Sequence, residues 1–427
     1  MEHAVNGTPT KVASPKAQYA TPARLFTERS FTLPRPDSED ERAWGFEGAA
    51  TQYATHGIHT YLAAMIPQLA RRLITTYVAP KGGVLDPFCG GGAVLVEATL
   101  AGRETAGRDI NDLAVLITKA KTTYIPRDDI AEATWEVIEK AKLYTGQPLE
   151  FERADYVHYW FKPYMLGPLT ALRLALDDLQ EGPIKTLHRV IFSATVRDVS
   201  LTYRNEIRLR RMSPEEQERF NPDVLEKFLE NARQAADRVP KLPEGARADV
   251  GPEDARRLSF RSNEFAAVIC SPPYGDERNG VPYTQFAKNM LFWLGYRRED
   301  LMMAKRASLG WHKGDKVAPP SRTLYRTLER IDDNPVACRE AVAFYHDYFL
   351  ALREMARVTK DVVIIVVGQR VLHSTVFDNA AITCELMEDL GVGLDALHTR
   401  RLPSKRLPKM RQFGAAIDRE TILVFRK

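Results

Sequence analysis

The sequence predicts an α/β fold, a parallel sheet with covering helices that is interrupted by a helical insertion. Three observations predict it. From Thr60 to Lys121 the pattern runs helix, strand, glycine turn, helix, strand, helix, the alternation that a parallel sheet requires. Between about 125 and 245 the alternation stops. Long helical periodicities replace it over Ile130–Tyr144, Leu166–Leu179, Ile184–Val199 and Pro222–Val239. Strand patterns then resume near Arg247 and Ala266, and the apolar run Val362–Val367 and the terminal Glu420–Phe425 segment add two more.

Taken in order, residues 1–45 are rich in Pro, Ser, Thr and charge and read as a solvated N-terminal arm with a tendency to disorder. Residues 46–124 and 246–427 carry the sheet, and 125–245 form the insertion. Residues 276–340, with Trp293, Trp311 and scattered Gly and Pro, read as an irregular basic and polar stretch. A helix is expected over Glu340–Val358 and another over Ala380–Leu390.

Within the first half, Val84-Leu-Asp-Pro-Phe-Cys-Gly-Gly-Gly-Ala93 reads as a strand, a glycine turn and a helix start. Glycines in such a turn let a ligand approach the backbone, and the N–H groups of the helix that follows point at it. Asp109 follows about twenty residues later, at the end of a second strand. It either accepts the two ribose hydroxyls of a nucleotide cofactor or caps the helix that begins at Asp112. Asp254, in Gly251-Pro-Glu-Asp-Ala255, stands just before the next strand, where it reaches an adenine amine.

After the run Phe265–Cys270 comes Ser271-Pro272-Pro273-Tyr274. Two consecutive prolines fix φ and lack N–H groups, which makes a stiff turn with free carbonyl acceptors, and the tyrosine adds an aromatic plate. Acceptors beside a plate suit methylation of an exocyclic amine, although the same four residues also make an ordinary strand-to-loop turn. Cys270, on a buried strand, reads as a small core residue rather than a nucleophile.

In their order, these motifs resemble those of the S-adenosylmethionine-dependent amino-methyltransferases that act on DNA bases. The resemblance spans most of residues 53–427, and the glycine turn and the Ser-Pro-Pro-Tyr turn carry nearly all its weight. It implies a Rossmann-like seven-strand methyltransferase sheet with a helical insertion. It implies S-adenosyl-L-methionine as cofactor, held by Asp86, Phe88, Cys89, Gly90 and Gly92, by Asp109 and Ile110, and by Asp254 and Ala255. Tyr53–Tyr61 looks like the family's additional cofactor segment, which brings in His56. The catalytic set is Ser271, Pro272, Pro273 and Tyr274, and Ser at the first position is typical of enzymes that methylate the 4-amino group of cytosine. The target base must then swing out of the duplex and stack on Tyr274. The alternatives kept open are a DNA adenine-N(6) enzyme, an RNA base methyltransferase and a DNA-binding protein whose chemistry has lapsed.

Sixty Lys and Arg against fifty-six Asp and Glu give a net charge of only +4, so a duplex-binding face must come from local clusters. Two are visible. One is Tyr203–Met212, with Arg204, Arg208, Arg210 and Arg211; the other is Arg400–Arg411, with Arg401, Lys405 and Arg406, which looks like the basic segment ahead of a closing hairpin. Four cysteines without paired spacing point to a reducing compartment, hence a cytoplasmic protein, and to no metal. No apolar run is long enough to span a bilayer. The expected partner is double-stranded DNA, with any cognate restriction endonuclease a separate chain.

Overall fold

A computed structural model describes residues 38–203, 209–275, 282–402 and 418–427. At its centre is a seven-stranded sheet: β1 (Val84–Asp86), β2 (Thr105–Asp109), β3 (Asp249–Pro252), β4 (Phe265–Cys270), β5 (Thr359–Gly368), β8 (Gly393–Arg401) and β9 (Arg419–Arg426). The order is β3-β2-β1-β4-β5-β9-β8. The first five strands are parallel, and β9 runs antiparallel between β5 and β8. A two-stranded hairpin, β6 (Arg370–Leu372) and β7 (Thr375–Phe377), follows β5. Strands buried on both faces read as continuous apolar runs, and Val362–Val367 is fully buried for that reason.

Helices cover both faces. On one, α2 (Pro67–Tyr77) and α3 (Ala93–Leu100) pack Leu69, Leu73 and Val94 against Val84, Ile269 and Ile364. Pro67 opens α2 at its first turn, where the missing N–H leaves no bond unmade. Strands and helices then alternate through α4 (Asp112–Lys121). On the other face lie α13 (Arg322–Glu329), α14 (Pro335–Val358) and α15 (Asn379–Asp389), which bury Tyr345, Tyr348, Leu352 and Leu386 over Val268, Val363 and Ile365. The insertion consists of α5 (Arg127–Leu143), α6 (Ala154–Trp160), α7 (Pro163–Asp177), α8 (Pro183–Val199), α9 (Pro214–Arg219) and α10 (Val224–Arg238). Its core joins Ile130, Leu172, Phe192 and Phe228 to Ile117 of α4 and to Trp293.

Three sequence readings need correction. Residues 276–340 are not irregular where they are described. Helices α11 (Tyr283–Trp293) and α12 (Arg298–Ala307) precede α13, because Phe286, Met290 and Trp293 recur at helical spacing and are buried. Second, β8 was missed. The basic segment therefore lies between the two strands of the closing hairpin rather than ahead of it, and its residues 403–417 lie outside the described residues. Third, the end of the N-terminal arm is helical: α1 (Ser38–Gly45) docks on β8, with Asp40 accepting from His398 Nδ1 and from the Thr399 N–H at 2.9 Å each. Charge marked this stretch as solvated, but its carboxylates have partners 358 or more residues away that local pattern does not reveal.

Candidate active site

The parallel strands β1, β2, β3 and β4 all end at one edge of the sheet, and the loops after them line a single cavity of about 870 Å³. One end is built on the glycine turn. Gly90 and Gly92 adopt φ of 48° and 78°, the left-handed region that favours glycine. Gly92 also packs tightly, since a Cβ there would sit 2.9 Å from Thr118 Oγ1, the hydroxyl that donates to the Gly90 carbonyl. Gly92→Ala is therefore expected to destabilise the fold by about 1–3 kcal/mol, read as a lower midpoint in denaturant unfolding. An unchanged midpoint would refute this account of the turn.

Asp109, at the end of β2, accepts from the Gly90 N–H through Oδ2 and from the Asn111 N–H through Oδ1, both at 2.9 Å. It does not cap α4; that cap is Asn111, whose side chain accepts from the Leu113 N–H. Asp109 lines the cavity, and a carboxylate with about four lone-pair sites keeps acceptor capacity beyond these bonds. Asp86 accepts from the Phe88 N–H at 3.0 Å. Burial pushes Asp86 up to about 8, helped by the nearby Asp109, and burial pushes Asp109 up to about 6. A buried acid and a half-buried one lining a cavity suit a cation that also carries hydroxyls.

Phe88, Cys89, Gly90, Asp109, Ile110, Asp254 and Ala255 all line this end, with Glu253 beside them. Gly92 is the N-cap of α3 and does not itself line the cavity. The Asp254 carboxylate is gripped by Arg256 Nε at 2.9 and 3.0 Å, and Arg256 in turn reaches the buried Asp347 at 2.8 Å. This fixes the carboxylate at the rim and occupies part of its acceptor capacity.

His56 is not at the cavity. It is buried against α3, where Nε2 meets Glu97 at 2.8 Å in a cluster with Tyr53 and Arg71, so it anchors the 53–61 segment. The residue of that segment that does reach the cavity is Tyr61, which the sequence reading passed over. Its ring lies over Gly90 and Gly91, and its hydroxyl accepts from Asn111 Nδ2 at 3.0 Å. The signal was present: an aromatic shortly before a glycine-rich turn that has no side chains to cover itself.

The Ser-Pro-Pro-Tyr turn follows β4. Ser271, Pro273 and Gly275 line the same cavity; Pro272 is buried behind it. Tyr274 does not line it either. Its half-buried ring packs against the α14 and β5 core, and its hydroxyl lies 3.1 Å from Ser271 Oγ and donates to Glu420 at 3.0 Å. The stacking plate read from the sequence is thus turned inward in this structure, and the aromatic rings that face the cavity include Phe88, Trp311 and Phe344. Cys270 is fully buried, its thiol 3.8 Å from Met355 Sδ, and burial raises its pKa well above the thiol range.

The cavity also has a cationic lining. Arg153, Lys288, Arg298 and Lys305 contribute to it, with Lys288 3.9 Å from the Tyr156 ring centroid and Lys305 5.1 Å from that of Trp311. These residues were missed because they come from three separate elements rather than one run. Of the sequence-predicted basic residues, Arg210 and Arg211 stack on Tyr203 and Tyr159, and Arg401 is exposed near Glu41. None of these three lines the cavity, and Arg204, Arg208, Lys405 and Arg406 lie outside the described residues. Among the described residues no cluster of three or more His, Cys, Asp and Glu is placed to hold a metal, and no helix is long and apolar enough to cross a membrane.

A sheet in this order, a glycine turn after β1 and an acid after β2 are the features of the S-adenosylmethionine-dependent methyltransferase fold. The residues fit that cofactor. Its ammonium and sulfonium charges would offset the desolvation of Asp86 and Asp109, and its ribose would suit the remaining acceptor capacity of Asp109. Residues 27–120 match the N6/N4 family of enzymes described as DNA methylases. The chain is 29% identical over 416 residues to the Type II methyltransferase M.MvaI of Kocuria varians, covering 88% of this chain and 90% of that one. It is also 29% identical over 87 residues to the Type II methyltransferase M.MjaII of Methanocaldococcus jannaschii, 20% of this chain and 16% of that one. Among solved structures, a SAM-dependent methyltransferase of Methanosarcina mazei superposes with a TM-score of 0.30 at 10% identity, covering 83% of this chain and 96% of that one. The rRNA methyltransferase aviRa of Streptomyces viridochromogenes gives 0.27 at 12% identity, covering 92% and 94%. The chain is thus similar to DNA methyltransferases of the N4/N6 amino class, in its N-terminal part by the family match and along most of its length by the relative from Kocuria varians.

Proposed function

We propose that this enzyme methylates the exocyclic 4-amino group of cytosine in duplex DNA, at a specific site and after flipping the base out. The observation that carries the reading is that Ser271 opens on the same cavity as Asp86 and Asp109, so a hydroxyl acceptor stands where a cofactor and a base can meet. A flipped base inserted between the two ends brings its amine to Ser271.

An aromatic amine is a weak nucleophile because its lone pair is delocalised into the ring. S-adenosylmethionine, when bound, supplies an electrophilic methyl carbon on sulfonium. The contribution of Ser271 is to accept a hydrogen bond from the amine, which favours a pyramidal nitrogen and stabilises the positive charge that develops on it. Phe88, Trp311 and Phe344 offer faces for the base. Asp86, Phe88, Cys89, Gly90, Asp109, Ile110, Asp254 and Ala255 hold the cofactor, with Gly92 shaping the turn. We assign the phosphate contacts to Arg153, Lys288, Arg298 and Lys305, with Arg210, Arg211 and Arg401 at the periphery. The proposed compartment is the cytoplasm, and any cognate restriction endonuclease would be a separate chain.

The deciding experiment incubates the protein with labelled S-adenosylmethionine and unmethylated DNA or RNA and identifies the modified nucleoside by mass spectrometry. Label in 4-methylcytosine of DNA is expected. Label in 6-methyladenine overturns the base assignment and keeps the chemistry; label only in RNA, or none despite cofactor binding, overturns the reading. Lys288→Ala and Lys305→Ala are each expected to weaken DNA binding across all sequences and to reduce the slope of log K against log salt by about 1. Equal slopes for wild type and both variants in a salt titration would remove these lysines from the interface.

A further inference from the structure

We propose that Glu420 is a positioning residue that fixes the proton direction of the catalytic turn and makes Ser271 a pure hydrogen-bond acceptor toward the substrate amine. The inference rests on the reading of Ser271 given above and concerns a residue far away in sequence, on β9, two strands from β4 in the sheet. A serine hydroxyl both donates and accepts. To draw on an amine N–H its lone pair must face the amine, so its own proton must go elsewhere. Among the described residues the hydroxyl that receives it is that of Tyr274, at 3.1 Å. That hydroxyl accepts the proton only if its own proton is committed in turn. It is, because Tyr274 donates to Glu420 Oε1 at 3.0 Å, and a carboxylate only accepts. Arg400, itself buried, closes the chain by donating from Nε to Glu420 Oε2 at 2.8 Å.

The direction is therefore set from the far end: Ser271 donates to Tyr274, Tyr274 to Glu420, and Arg400 holds the carboxylate. The backbone is fixed as well. Asn379 Nδ2 donates to the Tyr274 carbonyl at 3.2 Å and to the Gly368 carbonyl at 2.8 Å, while Tyr345 donates to Asn379 Oδ1 at 2.7 Å. The high pKa of Tyr274, from burial first and from Glu420 next, keeps the phenol proton in place. This account explains why the tyrosine ring points inward. It also explains how an uncharged serine serves at a position that requires an acceptor: the negative charge is held two hydrogen bonds away.

The test compares wild type, Glu420→Gln, Tyr274→Phe and the double variant in steady-state methylation of DNA. A glutamine amide can donate to Tyr274 and reverse the chain, and phenylalanine removes the middle link. Each single variant is expected to lower kcat on the order of tenfold or more with KM for cofactor and DNA unchanged, and the double variant to fall no further than the worse single one. Wild-type kcat in E420Q, or losses that multiply in the double variant, overturns the relay while leaving Ser271 as acceptor. Wild type that labels no DNA amine overturns the reading beneath it. Should E420Q not fold, the Ser271→Ala and Tyr274→Phe pair gives the same cycle, non-additive if the relay holds and multiplicative if it does not.

Discussion

Ser271→Ala is expected to lower kcat for DNA methylation by on the order of 10²–10³-fold, the loss that follows removal of one aimed polar group from a site of developing charge. The substitution removes a single oxygen. It leaves the Tyr274 bond to Glu420, the Pro272–Pro273 backbone and the cofactor end of the cavity in place. Cofactor affinity, read by calorimetry with S-adenosylmethionine, should accordingly stay within about twofold, because only interactions made in the transition state are lost. The opposite result is equally informative. If Ser271→Ala retains kcat and instead lowers the unfolding midpoint, the turn is only a strand-to-loop connection, and the reading of its hydroxyl as the acceptor falls.

The parallel half of the fold was legible because its signals are local. Val84 to Ala93 and Asp109 fall within one strand-turn-helix-strand unit, where apolar period and glycine placement suffice. Most of the residues expected to hold the cofactor fall in the same stretch, and Phe88, Cys89, Gly90, Asp109 and Ile110 among them line the cavity. What escaped comes together across long separations. Glu420 meets a tyrosine 146 residues earlier, Asp40 a histidine 358 residues later, and the cationic lining draws on residues 153, 288, 298 and 305. Runs of arginine attract notice in a sequence, yet Arg210 and Arg211 are laid on tyrosine rings, while cations scattered over three elements line the cavity. Strand β8 was missed for a related reason. Gly393–Arg401 shows no clean alternation, since its exposed and buried positions follow contacts with α1 and β9 rather than one buried face.

The same cavity predicts a strong pH dependence of cofactor binding. In the ligand-free protein, burial holds Asp86 neutral up to about pH 8 and Asp109 up to about pH 6. For an acid whose folded pKa is raised, the folded state resists ionisation. Stability is then full below the ordinary carboxyl pKa and declines as pH rises toward the folded value. The ligand-free protein should therefore lose thermal stability from about pH 4 to about pH 8, the lower part from Asp109 and Asp86 together and the upper part from Asp86 alone. A cationic ligand reverses the preference, because its charge stabilises the carboxylates. Affinity for S-adenosylmethionine should rise with pH, by roughly tenfold or more between pH 6 and 7.5, a window below the ordinary pKa of an α-ammonium group, so that the ligand keeps its charge. Asp86→Asn should flatten both curves above pH 6, binding the cofactor more weakly at pH 7.5 while raising the melting temperature of the ligand-free protein there. Calorimetric titrations across that range decide the matter. A wild-type dissociation constant that does not change between pH 6 and 7.5 would mean either that Asp86 is already ionised in the empty site or that it stays neutral with the ligand bound, the cation being held elsewhere; each outcome refutes this account.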